Sequence, residues 1–522
     1  MTWRRSAAPL TLPVSKMVTK TRTRLRSIIL NRSGLFQMQK YIYLIYQATP
    51  HNVKVERIGG VQLSFDHLKK TTRVHAMQRI SAVGILDTAK LSRFHFLLVF
   101  WCSFIMLFDG YDLVIYGSVL PHLMTEWNLT PSQAGMLGSS SMLGMMVGAV
   151  LLGTTADRFG RRPIILFCVA LFSVAAFANA FAVDSITFAI CRFLTGVGLG
   201  GVVPNLVTIL KEMAPTQYRN RLINLMLSFF AVGGLLSALA GIYLIPMLGW
   251  HSPFYIAGLS LLCLPLLYKT LPESVAYLVH KKRHDDVGAL LQRINPSHRH
   301  ISGTQYEVDV VANTAGTSMA SLFSDARAFA TLMVWVAFGM CMLMVYGLNT
   351  WLPKLMNSGG YPLGSSITFL LIMNIGALFG QLASGFVADR WGCKATLLVF
   401  FALSAISISL LGVRPGPVTL YALLLVAGGA TVGCLSVVHT LAADIYPANA
   451  RSTGVSMAAA VGRCGAVAGP LLGGYLYSLS LPFEQNFLLF GLPGVVAVIA
   501  VMMISQRHAG RLSAETPVKQ SA

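Results

Sequence analysis

Gly153-Thr-Thr-Ala-Asp157-Arg158-Phe-Gly160-Arg161-Arg162 returns later in the chain as Gly385-Phe-Val-Ala-Asp389-Arg390-Trp-Gly392-Cys393-Lys394. The offset that relates these two copies also carries Glu212-Met-Ala-Pro215 with Arg219 onto Asp444-Ile-Tyr-Pro447 with Arg451, and Gly233 and Gly241 onto Gly465 and Gly473. Compositional chance does not keep register over three landmarks, so the chain predicts two homologous halves. Each copy of the ten-residue stretch reads as a tight Gly-containing turn that sets an Asp beside a helix terminus and basic groups at one face. Such groups can pair with Glu212 or Asp444 and their neighbouring Arg in one conformation and release in another. The competing reading is that the arginines only record which side of a membrane they face.

Outward from the repeat, the composition says where the halves reside. The 522 residues are 55% apolar and only 11% charged, against about a quarter charged in a soluble domain. Mean hydropathy is +0.64. A water-soluble fold cannot cover its surface with so few charges. Apolar runs near the ~20 residues that span a hydrocarbon core lie at about 96–121, 132–153, 164–183, 186–210, 222–245 and 252–270. Six more lie at about 329–353, 365–387, 395–413, 417–440, 452–479 and 485–505. The reading is an all-α membrane protein of twelve transmembrane helices in two pseudo-symmetric six-helix halves, 77–270 and 329–506, joined by a polar linker at 271–328. A tail follows at 507–522.

Basic residues orient the chain. With the N-terminus inside, the inner connections and tail after the first helix hold 19 Lys/Arg and the outer ones hold two, Lys354 and Arg414. That bias places both termini in the cytoplasm. Residues 1–76 carry 14 Lys/Arg against Glu56 and Asp66, which is +12 of the net +21. The excess therefore sits in a leader and does not imply a nucleic-acid partner. The leader shows no clear signal-peptide core. Either the functional protein starts at Met77, with Asp87 to Arg93 a short cytoplasmic lead, or the leader is a basic arm lying on anionic lipid. The eight cysteines show no CxxC pairing and fall in or beside apolar runs, so neither disulfides nor a metal site is expected. No nucleotide motif is present, and no cofactor is expected.

These residues resemble the major facilitator superfamily, whose signature between helices 2 and 3 is matched at 153–162 and, imperfectly, at 385–394. Leu271-Pro-Glu273-Ser274 after the sixth helix is a further landmark of that family. Cys393 stands where the second copy usually has a basic residue, which implies a weaker second gate. The gating residues are then Gly153, Asp157, Arg158, Gly160, Arg161, Arg162, Glu212, Arg219, Asp389, Arg390, Lys394, Asp444 and Arg451.

Burying a charge in lipid costs about 2.5–3.5 kcal/mol or more, which makes intramembrane ionisable groups functional candidates. Asp109 and Asp112 in the first helix are spaced i, i+3 and share a face, with Gly110 between them permitting local distortion or close helix approach. Arg192 in the fourth helix comes to a similar depth as Asp112, so the two are expected to pair. Arg463, near the middle of the eleventh helix, has no acidic residue near it in its own half. An unpaired guanidinium at that depth wants an anion such as a carboxylate. His439, near the inner end of the tenth helix, reads more simply as interfacial.

Phe108-Asp-Gly-Tyr-Asp in helix 1, Arg192-Phe-Leu-Thr-Gly196 in helix 4, Tyr346-Gly-Leu-Asn349-Thr-Trp351 in helix 7 and Gly462-Arg463-Cys-Gly465 in helix 11 are together similar to the aromatic acid:proton symporters. Leu86-Asp87-Thr88-Ala89-Lys90 with Phe108 to Gly117 is most similar to benzoate carriers. That resemblance implies proton coupling and makes the helix 1 aspartates and the 153–162 loop essential for uptake. Tyr111, Asn349, Trp351 and Asn374 are candidates to stack on and orient the ring.

The expectation is a monomeric, non-enzymatic inner-membrane carrier whose partners are an aromatic acid, protons and the bilayer. Asp109, Asp112 and Arg192 would couple proton and substrate, and Arg463 would hold the carboxylate. A carrier for another small solute and a membrane receptor for aromatic acids are the rival readings.

Overall fold

A backbone in lipid must satisfy its own hydrogen bonds, which leaves helices as the spanning element for a chain of this pattern. The computed structural model describes residues 79–295, 298, 304–307, 322–323, 327–446 and 450–504, without the side chains of Arg79, Ile80, Asp157, Arg451 and Ser452. Among the described residues twelve helices are long and apolar enough to cross a membrane. They are α1 (Arg93–Glu126), α2 (Pro131–Phe159), α3 (Arg161–Asn179), α4 (Ser185–Met213), α5 (Arg219–Leu248) and α6 (Ser252–Thr270), then α7 (Ala328–Ser358), α8 (Leu363–Trp391), α9 (Cys393–Leu411), α10 (Pro417–Ile445), α11 (Arg451–Ser478) and α12 (Phe483–Met503). Helix α6 passes through a 3-10 stretch at Leu259–Cys263. The leader expected at 1–76 and the tail at 507–522 lie outside the described residues.

Most helices run further than the apolar runs suggest, and this overturns one expectation. Gly153 and Arg158 lie within the last turns of α2 rather than in a turn. The α2–α3 connection is a single residue, Gly160, at φ +99°, and its repeat mate Gly392 joins α8 to α9 at φ +83°. Only that left-handed residue breaks the helix, because glycine alone enters the conformation without a steric penalty. We call the face bearing these two turns inner.

The repeat is visible in packing to the residue. An added Cβ on Gly144 of α2 would meet the Phe193 carbonyl of α4 at 2.0 Å, and one on Gly376 of α8 the Leu425 carbonyl of α10 at 2.1 Å. Gly233 of α5 likewise meets the Leu107 carbonyl of α1 at 1.8 Å, and Gly465 of α11 the Gly339 carbonyl of α7 at 2.0 Å. Each glycine and each partner in the first half maps onto its counterpart in the second by the offset that relates Gly153 to Gly385. Small residues let backbones touch where lipid gives no hydrophobic drive for association.

The halves meet through α1 with α7, α2 with α11 and α5 with α8. Their contacts gather toward the outer side. The Asn349 carbonyl seats against Gly117, Ser139 Oγ donates to the Val467 carbonyl at 2.7 Å, and Ile367 reaches Gly241. On the inner side Gly153 and Gly385 have open space around them. The described arrangement is therefore closed outward along this seam.

A small collar on the inner face completes the N-terminal half. Strand β1 (Arg79–Ser81) pairs in parallel with β2 (Gln305–Glu307). The segment read as a linker also forms helices at Val275–His280 and His284–Ile294, the latter burying Val287, Leu290, Leu291 and Ile294. Arg293 lies over the Phe94 ring at the foot of α1.

Candidate functional site

With about 3.6 residues per turn, helical positions i and i+3 return to nearly the same side of the axis, whereas i and i+2 point nearly opposite ways. In α1, Asp109 and Asp112 therefore share a face, and Tyr111 looks elsewhere. Both carboxylates are buried, at 5% and 4% exposure. Gly110 serves close approach rather than distortion: α1 is continuous, and an added Cβ would stand 1.8 Å from the Phe230 carbonyl of α5.

Asp112 is fully engaged. Arg192 Nη1 donates to its Oδ1 at 2.6 Å and Ser141 Oγ to its Oδ2 at 3.3 Å. Arg192, 1% exposed, also lies over the Tyr116 ring at 5.5 Å. The depth argument thus finds the right partner. A buried ion pair of this kind holds only because each charge has the other plus added hydrogen bonds.

Asp109 is the contrasting case. It forms no hydrogen bond or ion pair among the described residues, and the charge it feels across the seam is Arg463 of α11. The guanidinium of Arg463 is half-buried and donates to the Met145 carbonyl of α2 at 3.1 Å. Tyr346 of α7 shares the field of both groups. A carboxylate from one half and a guanidinium from the other thus lie within electrostatic reach of each other at the seam with no ion pair between them among the described residues. Phe338, fully buried, packs against Gly462, the residue before Arg463 in the chain, and stands edge-on to His439 at 4.7 Å.

Two of the ring contacts expected from sequence go elsewhere. Tyr111 donates its hydroxyl to the Pro253 carbonyl of α6 at 2.9 Å and lines an apolar recess of about 450 Å³ with Phe104, Phe108 and Leu236. Trp351 donates Nε1 to the Pro470 carbonyl at 2.9 Å and stacks on Tyr477. Both are packing anchors because their polar atoms are spent on neighbouring backbone. Asn349 and Asn374 do come together, Nδ2 of Asn374 donating to Oδ1 of Asn349 at 3.3 Å, and the Asn374 amide reaches Gly234 across the seam. Tyr346, Ser141 and Phe338 were missed because their facing depends on helix rotation.

At the inner end the first repeat closes into a network. Arg161 pairs with Glu212, whose other oxygen accepts Ser274 Oγ at 2.7 Å. Glu273 accepts the backbone N–H groups of Arg161, Arg162 and Ser274 at 2.9, 3.2 and 2.9 Å. It therefore caps the N-terminus of α3, where free N–H groups and the helix dipole favour an anion. Arg162 donates to the Tyr268 carbonyl and lies over its ring. Arg219 pairs with Asp87 at 2.8 Å, tying α5 to the lead. Arg158 is exposed beside Phe159.

The second repeat is different. Cys393 stands beside Asp444 where Arg161 pairs with Glu212. Lys394 turns to the carbonyls at the end of α12, Met502 at 3.1 Å and Ile504 at 2.5 Å, and does not reach Asp444. Asp389 and Arg390 are exposed. The side chains of Asp157 and Arg451 lie outside the described residues. Among the described residues no cluster of His, Cys, Asp and Glu is arranged to hold a metal.

Comparison with known proteins places this geometry. The sequence profile of the Major Facilitator Superfamily matches residues 102–380 and 368–521, and the chain belongs to that superfamily. A benzoate transport protein of Acinetobacter baylyi is 39% identical over 443 residues, 83% of this chain and 94% of that protein. A gallate transporter of Pseudomonas putida is 34% identical over 424 residues, 80% of this chain and 93% of its own length. The solved structure of a bacterial homologue of the human lysosomal transporter Spinster, inward-facing and occupied, shares the fold with a TM-score of 0.63 at 15% identity, covering 80% of this chain and 98% of that one. The chain is a multi-pass membrane transporter that moves a small organic solute by alternating access between its two halves.

Proposed function

We propose that the solute is an aromatic monocarboxylate of the benzoate class, carried inward with protons. The reading rests above all on Asp109 and Arg463, a buried carboxylate and a half-buried guanidinium from opposite halves that lie within electrostatic reach of each other without pairing. A substrate carboxylate takes the Arg463 guanidinium in two hydrogen bonds. A proton on Asp109 removes the remaining charge from the seam, because an uncompensated charge there would oppose the rocking of the halves. Asp112, already held by Arg192, positions α1 against α4 and keeps Asp109 in a low-dielectric setting. Tyr346 and Phe338 supply aromatic surface for the ring. The two relatives named above carry benzoate and gallate, both aromatic carboxylates. We place both termini in the cytoplasm, from the basic asymmetry.

The test is uptake of radiolabelled benzoate into proteoliposomes with an imposed inward proton gradient. Wild-type uptake is expected to follow the gradient and to collapse with an ionophore. Arg463→Ala should lose at least tenfold in uptake, with partial retention in Arg463→Lys, since one charged hydrogen bond is worth about 1.5–3 kcal/mol. Uptake that ignores the gradient would remove symport, and uptake untouched by Arg463→Ala would remove the carboxylate assignment.

A further inference from the structure

Above the outer contacts of the seam lies a recess of about 360 Å³ that belongs to both halves. Its walls are His122 and Glu126 at the end of α1, Trp250 before α6, Lys354 and Asn357 of α7 and Leu363 at the start of α8. That volume falls within the roughly 300–1,000 Å³ of small-molecule sites. Glu126 is turned onto the Trp250 indole, whose Nε1 donates to its Oε2 at 2.5 Å. Lys354 is one of two basic residues on the outer connections. It is half-buried, 5.9 Å from the Tyr477 ring centre, and has neither hydrogen bond nor ion pair among the described residues. The His122 imidazole also makes no hydrogen bond among them, and Glu126 is the charge that acts on it. An ammonium and an imidazole thus lie free beside the apolar edges of Trp250 and Leu363.

We propose that this recess is a second, outer binding site for an aromatic monocarboxylate, with its carboxylate on Lys354 and its ring against Trp250 and Leu363. The site rests on the substrate class proposed above. It differs from the central one in residues and consequence. Its walls come from both halves, so an occupant holds the outer ends of α1, α7 and α8 together. A ligand that binds one conformation better shifts the population toward it. External acid at high concentration then retains the carrier in its outward-closed state and slows its own uptake.

The experiment is equilibrium binding of radiolabelled benzoate to the purified full chain in lipid nanodiscs, for wild type, Lys354→Gln, Lys354→Arg, His122→Gln and Arg463→Ala. Wild type is expected to bind two equivalents. Lys354→Gln should weaken one of them about tenfold, Lys354→Arg should retain it, and Arg463→Ala should remove the other. His122→Gln weakens the same equivalent as Lys354→Gln and supports the site if the lysine variant does not fold. In uptake assays the wild-type rate should fall at high external benzoate, and Lys354→Gln should abolish that fall. A single equivalent removed only by Arg463→Ala would overturn the outer site and leave the transport reading intact. Binding sensitive to Lys354 in a protein that moves no benzoate would keep the outer site and remove the transport reading. Displacement of the Lys354-sensitive equivalent by cyclohexanecarboxylate as effective as by unlabelled benzoate would overturn the aromatic class.

Discussion

The two halves share their helix packing residue for residue but do not share their chemistry. At the repeat positions of Asp112 and Arg192 the C-terminal half has Met344 and Leu424, both fully buried. The repeat mate of Asp109 is Cys341, and that of Arg463 in the first half is Ala231. At the inner turns, Arg161 with Glu212 becomes Cys393 with Asp444. Duplication preserved the small-residue contacts that set where backbones meet, and the charges diverged. The proposed symport draws on that divergence, because it takes Asp109 from one half and Arg463 from the other.

The largest break in this comparison is Asp112→Ala. It strands Arg192 and should cost about 3–5 kcal/mol of stability, read as a lowered thermal midpoint in detergent. Copying the other half with Asp112→Met and Arg192→Leu together should recover most of that loss, since apolar residues of similar volume replace buried ion pairs well. Failure of the double variant to regain stability would mean that the halves differ in more than charge.

The two turn glycines sharpen the contrast at a smaller scale. Gly160→Ala meets both a positive φ and Glu273 Oε2, 2.5 Å from the new Cβ, and should cost about 2 kcal/mol. Gly392→Ala meets the positive φ with open space around it and should cost about 1 kcal/mol. Equal midpoint shifts would show that the Glu273 cap adds nothing.

Smallest is the exchange of inner pairs. Arg161→Cys should lose about 1 kcal/mol, a modest value because Arg161 and Glu212 are 17% and 20% exposed and solvent screens them. Cys393→Arg, which gives Asp444 a cation, should gain up to about 1 kcal/mol. A midpoint that does not rise would mean Asp444 is already satisfied by the thiol.

Much of this was legible in the sequence for reasons the structure makes plain. The repeat, the twelve spans and the Asp112–Arg192 pair follow from linear quantities, namely offset, run length and depth. The direction of Tyr111 away from Asp109 was also implicit in helical spacing. What escaped were matters of rotation and of reach between distant segments. Trp351 spends its indole within its own half, whereas Tyr346, five residues earlier in α7, lies in the field of Asp109 and Arg463. Glu273 caps a helix that begins far before it in the chain, through a loop whose path no local pattern encodes. The open inner face and the Arg463 bond to Met145 depend on which conformation the halves adopt, a property of the pair and not of either sequence stretch.

The collar on the inner face has a mechanical consequence. Strand β1 with β2, the helix His284–Ile294, the Glu273 cap and the Asp87–Arg219 tie all brace the inner ends of α1, α3 and α5. At the inner end of the other half Lys394 anchors α9 to the end of α12, and Thr331 of α7 donates to the Leu322 carbonyl. The first six helices are built like a stator and the second six like its rotor. A rocking motion of the halves would then leave the inner end of α1, the helix that carries Asp109, braced against its neighbours.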